Sequence, residues 1–331
     1  MKATLLILWL YIITVLHGIR VISKKEAQDH FFSKDYTLIL KGLCSIIVIF
    51  VHVPITYGNK VQDLVGSFAY ICVTLFFLFS AYGLRWSFEK KEQYMQHFIK
   101  NRIVVLFIPF VIAFLIKKVC GYDVYSGGTM FIYVLLLFYL LTFLSYKLQI
   151  RGGVIVYAGA LLYSLGGYCC DIGFGWYVES LGFAYGFLLG DERVKKKLIN
   201  LLNDYYFMMI TSTTTASIIL GVSYLKFKQV VFSGDYVLRI LLGIALIMWV
   251  SSVTYRIKIG NKFSKLLGRI SYEIFLLHGF SMSFFSQGSF GLSSGQFIIL
   301  TFLLTVLLAY ILNKIDNTIS NMVKEFDFSK A

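Results

Sequence analysis

The chain predicts an all-α, polytopic membrane bundle of about eleven transmembrane helices, and three observations carry that expectation. Hydrophobic residues make up 58% of the 331 positions and charged ones only 15%, with a mean hydropathy of +0.75, a balance foreign to water-soluble domains. Apolar stretches of about 17 to 25 residues, the length that crosses a bilayer, recur between short polar interruptions. The 31 Lys and Arg residues also sort by loop. With the loops after odd-numbered spans taken as one side, 24 fall there and seven (Lys2, Lys60, Lys117, Lys118, Lys226, Lys228, Arg239) on the other. Basic residues concentrate on the cytoplasmic side of membrane proteins. The N-terminus is therefore expected outside and the C-terminus in the cytoplasm.

The spans fall at residues 3–22, 38–57, 68–86, 103–120, 129–146, 152–168, 174–190, 205–225, 236–255, 270–287 and 296–314. The first has one basic residue before it, three at or soon after its end (Arg20, Lys24, Lys25) and no A-x-A-like cleavage site, so it reads as an uncleaved anchor rather than a signal peptide. No repeat of fixed period and no Gly/Ser- or Pro-rich linker divides the chain, which predicts one domain over residues 1–331. The net charge of +14 lies in short loops between apolar spans, which suits orientation and anionic lipid headgroups rather than nucleic acid. The five cysteines show no CxxC pair and no Cys/His spacing suited to zinc, so neither a metal site nor a disulfide framework is expected. Adjacent Cys169 and Cys170 read as packing residues.

The second span, KGLCSIIVIFVH, carries the most informative pair, Lys41 and His52. Eleven helical steps of about 100° come within roughly 20° of three full turns, so both share one face about 16 Å apart along the axis. Ser45 falls on the same stripe. Ionisable side chains within a bilayer are costly and usually face a bundle interior or a watery cavity. The stripe is thus a candidate site, running from a basic group at one membrane edge to a histidine past the midpoint. Pro54 should bend or open the helix beside His52, because it lacks the ladder amide and crowds the Phe50 carbonyl.

Further basic residues gather on the Lys41 side. Arg85 ends the third span, and the loop EKKEQYMQHFIKNR brings Lys90, Lys91, Lys100 and Arg102. Such groups can grip an anionic ligand such as a phosphorylated donor. For Lys90, Lys91 and Lys100 the solvated-loop reading is preferred, whereas Lys41 and Arg102 sit at the lips of apolar spans. The tenth span, GRISYEIFLLHGF, adds Tyr272, Glu273 and His278. Glu273 and His278 lie five positions apart and point about 140° away from each other. At least one of them therefore has a structural reading as well as a catalytic one. His52 is the stronger candidate base, since histidine exchanges protons near neutral pH.

Together these segments resemble the membrane-bound acyltransferase family 3, and the resemblance covers nearly the whole chain after the first span. A basic residue, ten positions and a histidine are met by Lys41 and His52. FFLFSAYGL (Phe76 to Leu84) resembles the FF-x-LSG-like segment, with Ala81 where glycine is usual. FIKNRIVVLFIPF carries Arg102 and Pro109, with Val105 where a second basic residue is common. GRISYEIFLLH (Gly268 to His278) resembles the late G-[RK]-I-S-Y segment closely. One extra span stands before the usual ten, and the short tail leaves no esterase-like extracytoplasmic domain to expect.

The resemblance implies an acyltransferase of a bacterial cell membrane that moves an acetyl group from cytoplasmic acetyl-CoA, or another acyl-CoA, onto a hydroxyl of an extracytoplasmic glycan or glycolipid. No permanently bound cofactor is implied. His52 would be general base or acyl relay, two roles the sequence leaves open. Glu273 would join it as the second catalytic candidate. Lys41, Arg102 and Arg85 would bind donor phosphates, while Ser45, Ser80, Tyr272 and His278 would line the site. Tyr122, Asp123, Tyr125, Asp171 and Trp176 in outer loops read either as sugar contacts or as the ordinary interfacial aromatic belt. Two rival functions stand beside this one. A transporter predicts paired discontinuous helices in repeated halves, which the sequence does not show. A non-catalytic partner in surface-polysaccharide assembly would use His52 only for packing.

Overall fold

The computed structural model describes residues 2–54, 56–98, 102, 104–122, 127–149, 153–171, 175–288 and 290–325. The fold is all-α, as the hydropathy pattern requires. Among the described residues the strands are β1 (Arg20–Val21) and β2 (Ile257–Lys258), which pair antiparallel. Every predicted apolar span is met by helix. These helices are α1 (Lys2–Leu16), α3 (Lys34–Val51), α5 (Tyr70–Lys90), α6 (Val104–Val119), α7 (Gly127–Lys147), α8 (Val154–Leu161) continued through a π turn into α9 (Gly167–Cys170), α10 (Tyr177–Leu189), α12 (Tyr206–Phe227), α13 (Arg239–Arg256), α15 (Ser271–Gln287) and α16 (Ser294–Glu325). Shorter helices join them: α2 (Lys24–His30), α4 (Lys60–Phe68), α11 (Glu192–Asp204) and α14 (Lys262–Arg269). Among the described residues five helical stretches are long and apolar enough to cross a membrane, at 60–90, 130–147, 206–227, 233–256 and 294–322.

Several boundaries depart from the sequence reading, each for a local reason. The first span ends at Leu16 rather than residue 22, because Gly18 adopts φ +90, a conformation glycine allows, and turns the chain into β1. The span expected at 38–57 is α3. It begins earlier, where the Ser33 hydroxyl accepts the Tyr36 amide, and stops at Val51 with His52 as its C-cap. His52 therefore sits at a helix end and is exposed, not enclosed within a continuous helix. Pro54 is the reason: the helix opens before it, and the buried Gln62 side-chain amide on α4 donates to the Phe50 carbonyl. The last span runs on to Glu325, its polar side chains bonding along the helix, with Asn317 donating to the Asn313 carbonyl at 2.7 Å. Cys169 and Cys170 are exposed free thiols, not packing residues, since α9 is a single turn at the bundle edge. Lys100, Asp123, Tyr125 and Arg151 lie outside the described residues.

The loops gather at two ends. At the Lys41 end, Arg20 pairs with Lys258 in the strand register, and Lys265 reaches Asp35 at 2.6 Å. At the same end Arg85 reaches Asp191 at 2.6 Å, and Lys90 reaches Glu192 at 2.7 Å. Burial alone would push the Asp191 carboxyl up, yet the Val194 and Arg193 amides and the Arg85 guanidinium hold it below the usual carboxylate range. At the opposite end Asn59 donates to Thr4 at 2.6 Å and Lys228 to Ser67 at 3.0 Å. These contacts tie the loops together in two separate groups.

The helix pairs that carry the site approach through glycine. On α3 and α14, a Cβ at Gly42 would lie 1.9 Å from the Ser264 carbonyl oxygen, and one at Gly268 1.8 Å from that of Leu38. On α5 and α10, Gly182 and Gly186 meet the Thr74 and Leu78 carbonyls in the same way. Small residues let apolar helices pack backbone to backbone where no hydrophobic force drives association in lipid. Gly268→Val is therefore expected to force α14 off α3 and cost about 1–3 kcal/mol. The melting temperature in detergent should fall clearly against Gly83→Ala, whose added Cβ meets nothing within 4 Å. Equal melting temperatures would contradict this packing. By contrast α12 is little buried and turns Phe207, Ile218, Ile219 and Val222 outward, an apolar face suited to lipid.

Candidate functional site

Helix α15 is packed against α3, α6, α7 and α16, and Tyr272, Glu273 and His278 each address a different neighbour. Tyr272 donates to the Leu106 carbonyl of α6 at 2.8 Å, in the turn that Pro109 loosens. Glu273 is buried and accepts from Asn313 of α16 at 2.7 Å; its other oxygen, Oε2, has no partner among the described residues. His278 is buried against α3, its ring centroid 4.8 Å from that of His52 in an edge-to-face arrangement. The roughly 140° between Glu273 and His278 seen in the sequence thus becomes contact with two different helices. The structure brings His52 together with His278, and turns Glu273 away toward α16.

The hydrogen bonds of the two histidines define their tautomers. His52 Nδ1 lies 2.7 Å from the Val48 carbonyl, and His278 Nδ1 lies 2.8 Å from the Phe275 carbonyl and 3.2 Å from that of Ile274. A carbonyl can only accept, so in each neutral ring the proton belongs on Nδ1 and Nε2 carries the lone pair. Two basic nitrogens therefore stand at one end of the bundle. Lys117 of α6 lies within electrostatic reach of His278 and is buried at the same end. It was counted in the sequence only as a loop charge. Its position three residues inside the apolar span 103–120 is the signal that was there to use.

The Lys41 end has the opposite chemistry. Lys41 is half-buried on α3 and within electrostatic reach of Arg102. Arg102 Nε donates to the Tyr94 hydroxyl, and a terminal nitrogen lies 3.4 Å from Ser87 Oγ. Among the described residues neither Lys41 nor Arg102 makes an ion pair. Two like charges held together without a carboxylate leave a positive site whose natural complement is an anion. Between the two ends, Tyr139 of α7 shares a hydrogen bond with Ser80 Oγ at 3.1 Å and lies within electrostatic reach of both Arg102 and Tyr272. Tyr139 was not singled out in the sequence, although a hydroxyl amid FYLL must find a partner inside the bundle.

The remaining candidates lie elsewhere. Ser45 shares the stripe, but its hydroxyl donates to the Lys41 carbonyl at 2.8 Å, one turn back on its own helix. Arg85 is buried and clasps three acceptors: Glu89 at 2.7 Å, the Phe187 carbonyl at 2.8 Å and Asp191 at 2.6 Å. Its guanidinium also lies 4.8 Å over the Phe187 ring. It ties α5 to α10 and the start of α11, and is not drawn into the Lys41–Arg102 pair. Tyr122 packs its ring 5.0 Å from Phe280 of α15.

A family model described as an acyltransferase domain, that of acyltransferase family 3, matches residues 38–314. The chain belongs to acyltransferase family 3. No curated protein and no solved structure matches this chain. The family match begins just before Lys41 and ends just past Asn313, so it includes Lys41, His52, Arg102, Glu273 and His278. With several apolar helices long enough to cross a bilayer, this acyltransferase is a multi-pass membrane protein.

Proposed function

We propose that this acyltransferase carries an acyl group, acetyl in the first instance, from cytoplasmic acyl-CoA to a hydroxyl of a glycan on the other side of a bacterial cytoplasmic membrane. The observation that carries the reading is the separation of two chemistries along α3. An uncompensated Lys41–Arg102 pair stands at one end and the Nε2 lone pairs of His52 and His278 at the other. Eleven residues of helix put about 16 Å between them. An acyl-CoA with its phosphates at Lys41 and Arg102 has an extended pantetheine arm to bridge that distance to His52.

In this reading the Lys41 end is cytoplasmic, eleven crossings leave the N-terminus outside and the C-terminus inside, and residues 1–331 act as one membrane domain. The basic loops rest against anionic lipid headgroups. The acceptor hydroxyl attacks the thioester carbonyl while His52 Nε2 takes its proton. The carbon–sulfur bond then breaks, the proton passes to the departing thiolate, and ester and free CoA result. The Val48 carbonyl, bonded to Nδ1–H, steadies the imidazolium that forms meanwhile. His278 Nε2 stands beside it as a second acceptor for the shared proton. Glu273, hydrogen-bonded by Asn313, braces α15 against α16, and Ser80, Tyr139 and Tyr272 line the passage.

Ester analysis of surface polysaccharides from cells with and without the protein tests the reading directly. Alkali-labile acyl groups are expected only where the protein is present. Identical ester content in both would overturn the proposal and favour the transporter or assembly-partner reading.

A further inference from the structure

A cleft of about 650 Å³ opens at the start of α10, lined by Tyr168, Asp171, Trp176, Tyr177, Asp235 and Arg239 among others. Its size falls within the roughly 300–1,000 Å³ usual for small-ligand pockets. One wall is aromatic: Tyr168, Trp176 and Tyr177 come from the two segments that flank the start of α10. The floor is charged. Buried Glu179 holds Arg239 in an ion pair, which neutralises both. Asp171 and Asp235 have no such cation and leave the cleft with two uncompensated carboxylates among the described residues. Both oxygens of Asp235 accept from the Tyr168 hydroxyl, at 2.7 and 2.8 Å, which holds that carboxylate in place. Arg239 keeps a buried Nε–H that meets no acceptor among the described residues.

Aromatic faces and carboxylate acceptors are what a polyhydroxylated ring requires: an apolar face to lie on and partners for its hydroxyls. The two uncompensated carboxylates repel a ligand of their own sign. The cleft is also joined to the chemistry. The Trp176 ring lies 6.5 Å from that of Phe275, which lies 5.8 Å from His278. We infer that this cleft is the saccharide-binding site of the acceptor, taking a neutral sugar residue stacked on Trp176 and excluding acidic sugars. The inference rests on the reading that the protein acylates a glycan on this side.

The full chain in lipid nanodiscs, titrated with chitotriose as a neutral probe and trigalacturonate as an acidic one, provides the test through tryptophan fluorescence and calorimetry. Chitotriose should bind at least about tenfold more tightly than trigalacturonate, and Trp176→Ala should weaken it by about tenfold or more. Asp171 is exposed, so Asp171→Asn leaves folding intact and should narrow the gap between the two probes. His52→Ala should bind chitotriose like the wild type. Failure of both sugars to bind, equal affinity for both, or indifference to Trp176→Ala and Asp171→Asn would each overturn the assignment. Because binding is read without turnover, a cleft that binds as described in a protein that makes no ester would refute acyl transfer alone. Ester formation by a protein whose cleft binds neither sugar would refute the cleft alone.

Discussion

His52→Ala is expected to lower acyl transfer by about 10²–10⁴-fold, the contribution of a positioned general base, with the amount of folded protein unchanged. The structural basis is local. His52 caps α3 and is exposed, so its removal leaves no cavity in the core, and the hydrogen bond it makes is to a carbonyl of its own helix. Added imidazole should restore part of the lost rate, because the missing group is a lone pair beside the substrate rather than a packing element. His278→Ala should cost less in rate and more in stability, because that ring is buried between α15 and α3 and touches Phe275 as well as His52. Radiolabelled acetyl transfer in proteoliposomes, with protein level followed in parallel, separates the two. Wild-type ester formation by His52→Ala would remove it from the chemistry.

Lys41→Ala and Arg102→Ala are each expected to weaken acetyl-CoA binding by roughly ten- to a hundredfold, since a hydrogen bond to a charged group contributes about 1.5–3 kcal/mol. Both are held at one end without a carboxylate partner among the described residues, so an anionic ligand is the counter-charge they lack. The effect should depend on the phosphates alone. S-acetyl-pantetheine, which has none, should bind both variants as it binds the wild type, and raised ionic strength should weaken acetyl-CoA binding most in the wild type. Calorimetry on the purified protein decides. Equal acetyl-CoA affinity in wild type and variants would end the donor-clamp role. Arg85→Ala is expected to act differently. With Glu89, Asp191 and the Phe187 carbonyl losing a shared partner, it should lower the melting temperature, and Arg85→Lys should not restore it, because an ammonium cannot reproduce the three-way fork.

How far the sequence could be read differs between fold and site. Each apolar segment became a helix because composition and length fix the need to satisfy backbone groups internally. Their ends were less legible. The stop at Val51 needed both Pro54, visible in the sequence, and Gln62 from another helix to donate to the opened carbonyl, which was not. The Lys41–His52 stripe was legible because helical periodicity holds within one helix. The pairing of His52 with His278 was not, although both residues had been singled out.

Sequence alone determined that this chain is helical, membrane-embedded and built on an acyltransferase motif set, because hydropathy, charge sorting and short spacings are local properties of the chain. Only the tertiary structure decided which side chains meet. It set His278 rather than Glu273 beside His52, bound Arg85 into a clasp, left Lys41 with Arg102, and drew Lys117 and Tyr139 into the interior. The physical reason lies in the helix pairs. Rotation and depth of α3 against α14, which leads directly into α15, are set by backbone contact at Gly42 and Gly268, and no spacing within a single helix encodes that angle.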